Sequence, residues 1–322
     1  MSLISSIQPS QIQYLTTTQI ADLSTADVKA LSTAQIAQLS SSQIGAIESQ
    51  DLVVLSAAQI SAFSPQNFSD GLLVYSRISL LSDAQVKGFT STQLNTLNSS
   101  LLQALSTAQV SALSTDQVSA LTSTQLNLVA TDDLQTLTAA QVKSLTSTQL
   151  NALSSTQLQA LATTQVKSLS TDQISALTST QLNLVATDDL QALTAAQVQS
   201  LTSTQLNALN STQLTTLTTA QVKSLTSDQL NALSSTQLQT LTTAQVSSLS
   251  TSQVSSLSST QLNTLASDDW QVLTTDQVGA LTISAGLSTG QLSLLTTSQI
   301  LGLTTTQVAA LTSTQLASIS FS

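Results

Sequence analysis

An apolar residue stands at every eighth position along almost the whole chain, a period that matches no regular backbone element. With that residue as position 1, it recurs from Ile7 to Phe63, from Leu81 to Leu273 and from Leu287 to Leu311, giving runs of 8, 25 and 4 octads. Position 6 is also apolar. Position 5 is Gln in 30 of the 37 octads, and position 2 is Ser or Thr in 29. A representative stretch, LTSTQLNAL at Leu145–Leu153, occurs again at Leu201–Leu209. A continuous helix fails this pattern, because eight residues turn about 800° and overshoot two full turns by about 80°. The Leu positions would then spiral round the helix and form no stripe. A continuous strand fails too, since positions 1 and 6 differ by five and would lie on opposite faces.

A helix broken once per octad fits. Ser or Thr at position 2 with Gln at position 5 spells the capping box S/T-x-x-Q. Position 1 then precedes the cap and position 6 is the fourth helical residue, the two partners of a hydrophobic staple. The pattern predicts a short helix over positions 3–8, with the next Leu ending it. Three features that the box does not require agree. Both prolines, Pro9 and Pro65, stand at position 3, the first helical residue, where Pro is favoured. Thirteen of the sixteen acids lie at positions 3–5. All five lysines (Lys29, Lys87, Lys143, Lys167 and Lys223) lie at position 7, so the helix dipole is complemented at both ends.

Six-residue helices do not survive alone. They must bury positions 1 and 6 against neighbours, which is how a solenoid is built. The expected fold is therefore all-α, a solenoid or superhelix of very short capped helices with one per 8-residue repeat; the alternative is a β-solenoid. In the run of 25 octads, Val or Ile stands at position 6 of eleven, and a subset of eight of these follows a spacing of three and four octads, mean 3.5. By analogy with a heptad seam, this predicts about 3.5 octads per superhelical turn. Copying explains the same pattern: LTSTQLNLVATDDLQ at Leu121 returns at Leu177, seven octads later.

The organisation reads as residues 1–70, N-terminal octads; 71–80, an insertion loop or strand; 81–280, central octads; 281–286, an interruption; and 287–322, C-terminal octads and a tail. The insertion GLLVYSRISL has strand-like composition and holds the only Arg, Arg77, and one of two Tyr, Tyr75. It reads either as a surface loop that preserves the stacking phase or as a contact for another chain. The tail ASISFS, with Phe321, alternates apolar and polar residues and reads as a frayed end, an added strand or part of an export signal.

Chemistry is hard to place on this chain. It contains no His and no Cys, which removes the commonest acid–base group and the thiol nucleophile. No glycine-rich phosphate loop occurs among its seven glycines. The carboxylate pairs Asp132-Asp133, Asp188-Asp189 and Asp268-Asp269 occupy positions 4–5 of octads whose cap residue is Ala130, Ala186 or Ala266. They read as substitutes for the missing cap, or as weak cation sites. Trp270 reads as a core filler. Asn98 and Asn210 match glycosylation sequons but stand at cap positions, and glycan modification of the many Ser and Thr is left open. A net charge of −10 with six cations excludes the basic patch that nucleic acid requires. No apolar run reaches the ~18 residues of a membrane span, and no cofactor is expected.

The L-[ST]-[ST]-x-Q-[VIL]-x-x octads resemble the Ser/Thr–Gln repeats of large, low-complexity bacterial secreted or cell-surface proteins of the adhesin-like kind. That resemblance implies no catalytic residue and an extracellular or cell-surface location, the alternative being cytoplasmic. The start, MSLISSIQPSQIQYL, lacks the basic and apolar regions of a cleaved Sec leader, so another export route is expected. The terminal octads are nearly as apolar as internal ones, whereas solenoids normally end in polar caps. The expected partner is a second copy, stacked head to tail into a filament, sheath or matrix. The alternative is a monomeric adhesin stalk or peptide-binding solenoid.

Overall fold

A computed structural model describes residues 3–68, 75–282 and 287–319. It divides into two compact units, Met1–Leu169 and Ser170–Ser322. Regular structure among the described residues is helical throughout, in 38 α-helices and one 3-10 turn, Leu3–Ser6. Each of the 37 octads carries one helix, and every one begins at position 3. The helices are three to six residues long, from Pro65–Asn67 to Ser147–Ala152.

The representative octad shows why each helix starts and stops. Thr146 is extended (φ −74°, ψ 157°), and its hydroxyl accepts from the Gln149 N–H. The helix Ser147–Ala152 ends at Leu153, which is extended again (φ −58°, ψ 135°) and donates its N–H to the Leu150 carbonyl at 3.2 Å. Positions 1 and 2 thus form a two-residue corner between successive helices. Pro9 and Pro65 both open helices at the first helical residue.

The corners wind the chain so that each helix packs mainly on the third helix along, as Thr115–Ala120 does on Ala139–Ser144 in the first unit and Ala195–Gln199 on Thr219–Ser224 in the second. Positions 1 and 6 form the core; Leu145, Leu150 and Leu153 are buried, and Trp270 is fully enclosed. Phe68 and Phe89 pack edge to face with ring centroids 4.8 Å apart. Position 8 lies against position 3 of the helix three back. The Ser144 hydroxyl donates to the Thr115 carbonyl at 3.1 Å as well as to Gln141 at 2.7 Å. Small residues suit this approach. The larger ones at position 8 (Tyr14, Gln38, Leu80, Leu128, Leu184 and Leu294) all follow helices of only four residues. Ending the helix early moves their bulk out of the tight contact; Val272 alone, smaller and β-branched, stays helical.

The insertion differs from its strand-like reading. Tyr75–Ile78 is a helix, and counting back from Leu81 puts Arg77 at position 5 and Ile78, fully buried, at position 6. Ile78 there fills core, and β-propensity yields to tertiary packing. Only two residues are surplus to an octad. In the tail, Ala317 and Ser318 belong to the helix Ser313–Ser318 and not to an added strand. Phe321 and residues 283–286 lie outside the described residues.

Candidate functional site

The chemistry that recurs in every turn is the amide of the position-5 Gln. Its oxygen completes the cap: the Thr146 N–H donates to Gln149 Oε1 at 2.7 Å, and the Gln149 N–H to Thr146 Oγ1 at 3.2 Å. Its nitrogen reaches the preceding superhelical turn, donating to the carbonyls of Val118 at 3.0 Å and Leu121 at 2.7 Å. Those acceptors are position 6 of the octad four back and position 1 of the octad three back. The separations are 31 and 28 residues, so a turn holds three to four octads, and 28 residues are three and a half. The same geometry recurs in the second unit, where Gln221 donates to Leu190 and Leu193 at 2.8 Å each.

Gln149 is only 3 % exposed, and a buried amide is costly unless its groups are paired. Here both ends are used. A Glu could complete the cap equally well, but a carboxylate has no hydrogens to donate. The only Glu in the chain is Glu48, at position 2. Capping therefore explains half of the preference for Gln, and the bridge between turns explains the rest.

The interruptions keep this ladder in step. Across the insertion, Gln85 reaches Leu52 and Leu55 over 33 and 30 residues, two more than usual. Across Leu281–Gly286, Gln299 reaches Trp270 and Leu273 over 29 and 26, two fewer. Ten residues in one place and six in the other each take the place of one octad. Arg77, only 9 % exposed, substitutes for Gln and donates Nη2 to the Ile47 carbonyl at 2.6 Å and Nη1, at a long 3.5 Å, to Gly45. These bonds lie inside the fold. The Arg77 Nε is buried without a partner, and burial lowers the side chain's pKa from the ordinary guanidinium value. The Tyr75 side chain lies outside the described residues.

The acidic pairs do not converge. Asp132, Asp188 and Asp268 are exposed, while Asp133, Asp189 and Asp269 are buried between helices at position 5. Among the described residues no three potential ligands of the His, Cys, Asp or Glu type come together. Asp269 does cap, accepting from the Ala266 N–H at 3.3 Å. Burial raises its pKa, the neighbouring charge of Asp268 adds to the rise, and that backbone bond opposes it. Shorter residues at position 5 recruit a hydroxyl from the octad three back: Thr25 donates to Asp51 at 2.6 Å and Ser41 to Asn67 at 2.8 Å. Asn98 and Asn210 both cap, accepting from Leu101 and Gln213 at 3.0 and 2.9 Å. Trp270 fills core, and its indole N–H is buried without a partner. A void of about 20 Å³ between Leu94, Leu105, Val118 and Leu134 is lined by Leu and Val alone, so it offers no polar anchor for a ligand. No helix among the described residues is long and apolar enough to cross a membrane.

Fold and ladder together define an all-α repeat protein of the solenoid class, in which the repeated polar chemistry is spent on stacking one turn upon the next. The chain belongs to the ALTTAQ-repeat family, whose profile matches residues 4–41, 20–47, 99–128, 130–163, 156–184, 186–219 and 213–243, more than half of the sequence. A search of curated proteins gave no match.

Proposed function

We propose that this chain is a structural, non-enzymatic repeat protein that associates with copies of itself, head to tail, into an extracellular filament, sheath or matrix. The observation that carries the reading is the direction of the ladder. Each turn offers Gln donors on one side and backbone acceptors on the other, so a unit can be added by the rule that joins turns within the chain. Heterologous contacts of that kind build open polymers when they do not close into rings. An extracellular setting is supported by composition, with no Cys and a surface dominated by Ser and Thr, and by the resemblance to bacterial secreted and surface repeats. Electron microscopy of the purified chain over a range of concentrations tests the reading. Filaments are expected, and monodisperse particles at high concentration would replace it with a monomeric stalk.

A further inference from the structure

Among the described residues, the first and last turns leave partners of the ladder unmet, in complementary ways. Gln11 and Gln19 accept from the N–H groups of Gln8 and Thr16 at 3.0 and 2.9 Å. Both side chains are exposed, and their amide nitrogens meet no carbonyl of another turn among the described residues. One turn further on, Gln35 is buried and donates to the Ile4 and Ile7 carbonyls at 2.8 Å each. At the other end, Gln307 and Gln315 donate to the corner carbonyls of Leu281 and Leu287 at 2.8 and 2.7 Å. The corner carbonyls that follow, Leu295, Leu303 and Leu311, accept from no amide among the described residues. Beside them Val308 and Leu316 are 45 % and 50 % exposed, although position 6 is buried in every earlier octad.

We infer that these two faces meet between copies and that the joint continues the octad count. This rests on the self-association reading and specifies its contact. The Leu3–Ser6 turn counts as one octad of the joint, because its Ile4 carbonyl takes the position-6 place for Gln35 over 31 residues. In that register Gln11 of one copy donates to the Ile300 and Leu303 carbonyls of the next, and Gln19 to those of Val308 and Leu311. The spacing matches the internal rule, with position 6 of the octad four back and position 1 of the octad three back. Tyr14 supports the same docking. It stands at position 8, which in internal octads such as that of Ser144 lies against the helix three back, and it is 79 % exposed. Its helix, Pro9–Ile12, has the four-residue form that makes room for Leu128 and Leu184. A second copy would lay Tyr14 against its helix Thr305–Ala310.

The test uses two variants of the full chain. Gln11→Glu with Gln19→Glu keeps both cap acceptors and removes both donors. Val308→Asp with Leu316→Asp spoils the opposite face. Sedimentation velocity should show concentration-dependent assembly of the unaltered chain. Each variant alone should need at least about tenfold more protein to assemble, the shift produced by about 1.4 kcal/mol, with unchanged circular dichroism. Mixed together, the variants retain one intact face of each kind and should form dimers that stop at two. If the unaltered chain assembles and the Gln variant assembles equally well, the joint lies elsewhere and this inference falls while self-association stands. If the unaltered chain stays monomeric, both fall.

Discussion

Replacing Gln149 by Glu separates the two uses of its amide. The new side chain still offers an oxygen to the Thr146 N–H, so the cap survives. The donor to the Val118 and Leu121 carbonyls is lost. The Val118 carbonyl keeps a bond from the Leu121 N–H at 3.3 Å, whereas the Leu121 carbonyl is left unpaired. Two lost hydrogen bonds cost about 1 kcal/mol each, and an unpaired buried acceptor costs about 1–3 more. The position is 3 % exposed, and a carboxylate would face two carbonyl oxygens there, so the total should be about 3–5 kcal/mol at neutral pH. Thr146→Ala removes the cap alone and should cost about 1 kcal/mol. Burial raises the pKa of the introduced carboxyl. An acid whose folded pKa is raised destabilises least when protonated, so the penalty should shrink as pH falls through that raised value. Urea titrations followed by circular dichroism at neutral and mildly acidic pH measure both effects. If Gln149→Glu is no worse than Thr146→Ala and is indifferent to pH, the bridge between turns contributes little and the argument from Gln over Glu fails.

Two further substitutions probe the spacing and charge of the stack. A Cβ on Gly88 would lie 2.5 Å from the Ala57 carbonyl oxygen and 2.7 Å from its Cα, while one on Gly279 meets nothing nearer than 3.4 Å. Thermal melting should therefore show Gly88→Ala destabilising by about 1–3 kcal/mol and Gly279→Ala neutral or slightly stabilising, since Ala favours the helix by up to about 1 kcal/mol. Asp269→Gln should stabilise the second unit by about 1–2 kcal/mol at neutral pH, by supplying a donor for the Leu241 carbonyl and removing a buried charge. Because the folded pKa of Asp269 is raised, the native chain has its full stability below the unfolded value and loses part as pH rises through the folded one. The advantage of the variant should accordingly fade in acid, as read by unfolding followed through Trp270 fluorescence.

Most of the fold was legible because each octad announces its own start. Ser or Thr at position 2, Gln at position 5 and the two prolines fix where every helix begins, and positions 1 and 6 name the core. The bridging role of Gln was not legible from one octad, since its acceptors lie 28 and 31 residues away at a distance set by the corners. The signal was present in the absence of Glu from position 5, which a cap alone does not explain. Arg77 was missed for a related reason. Strand-forming neighbours concealed an octad register that is plain once the count runs backwards from Leu81. The parting of each acidic pair was not legible, because alternate helical positions face different surroundings, one carboxylate in solvent and the next between turns.

A turn of three and a half octads returns to the same side of the stack only after two turns, seven octads or 56 residues. A gene segment of that length can be copied or deleted within a unit and leave every octad with the same lateral neighbours. The stretch at Leu121 and its copy at Leu177 are separated by that interval. Duplication and superhelical geometry therefore point to the same interval.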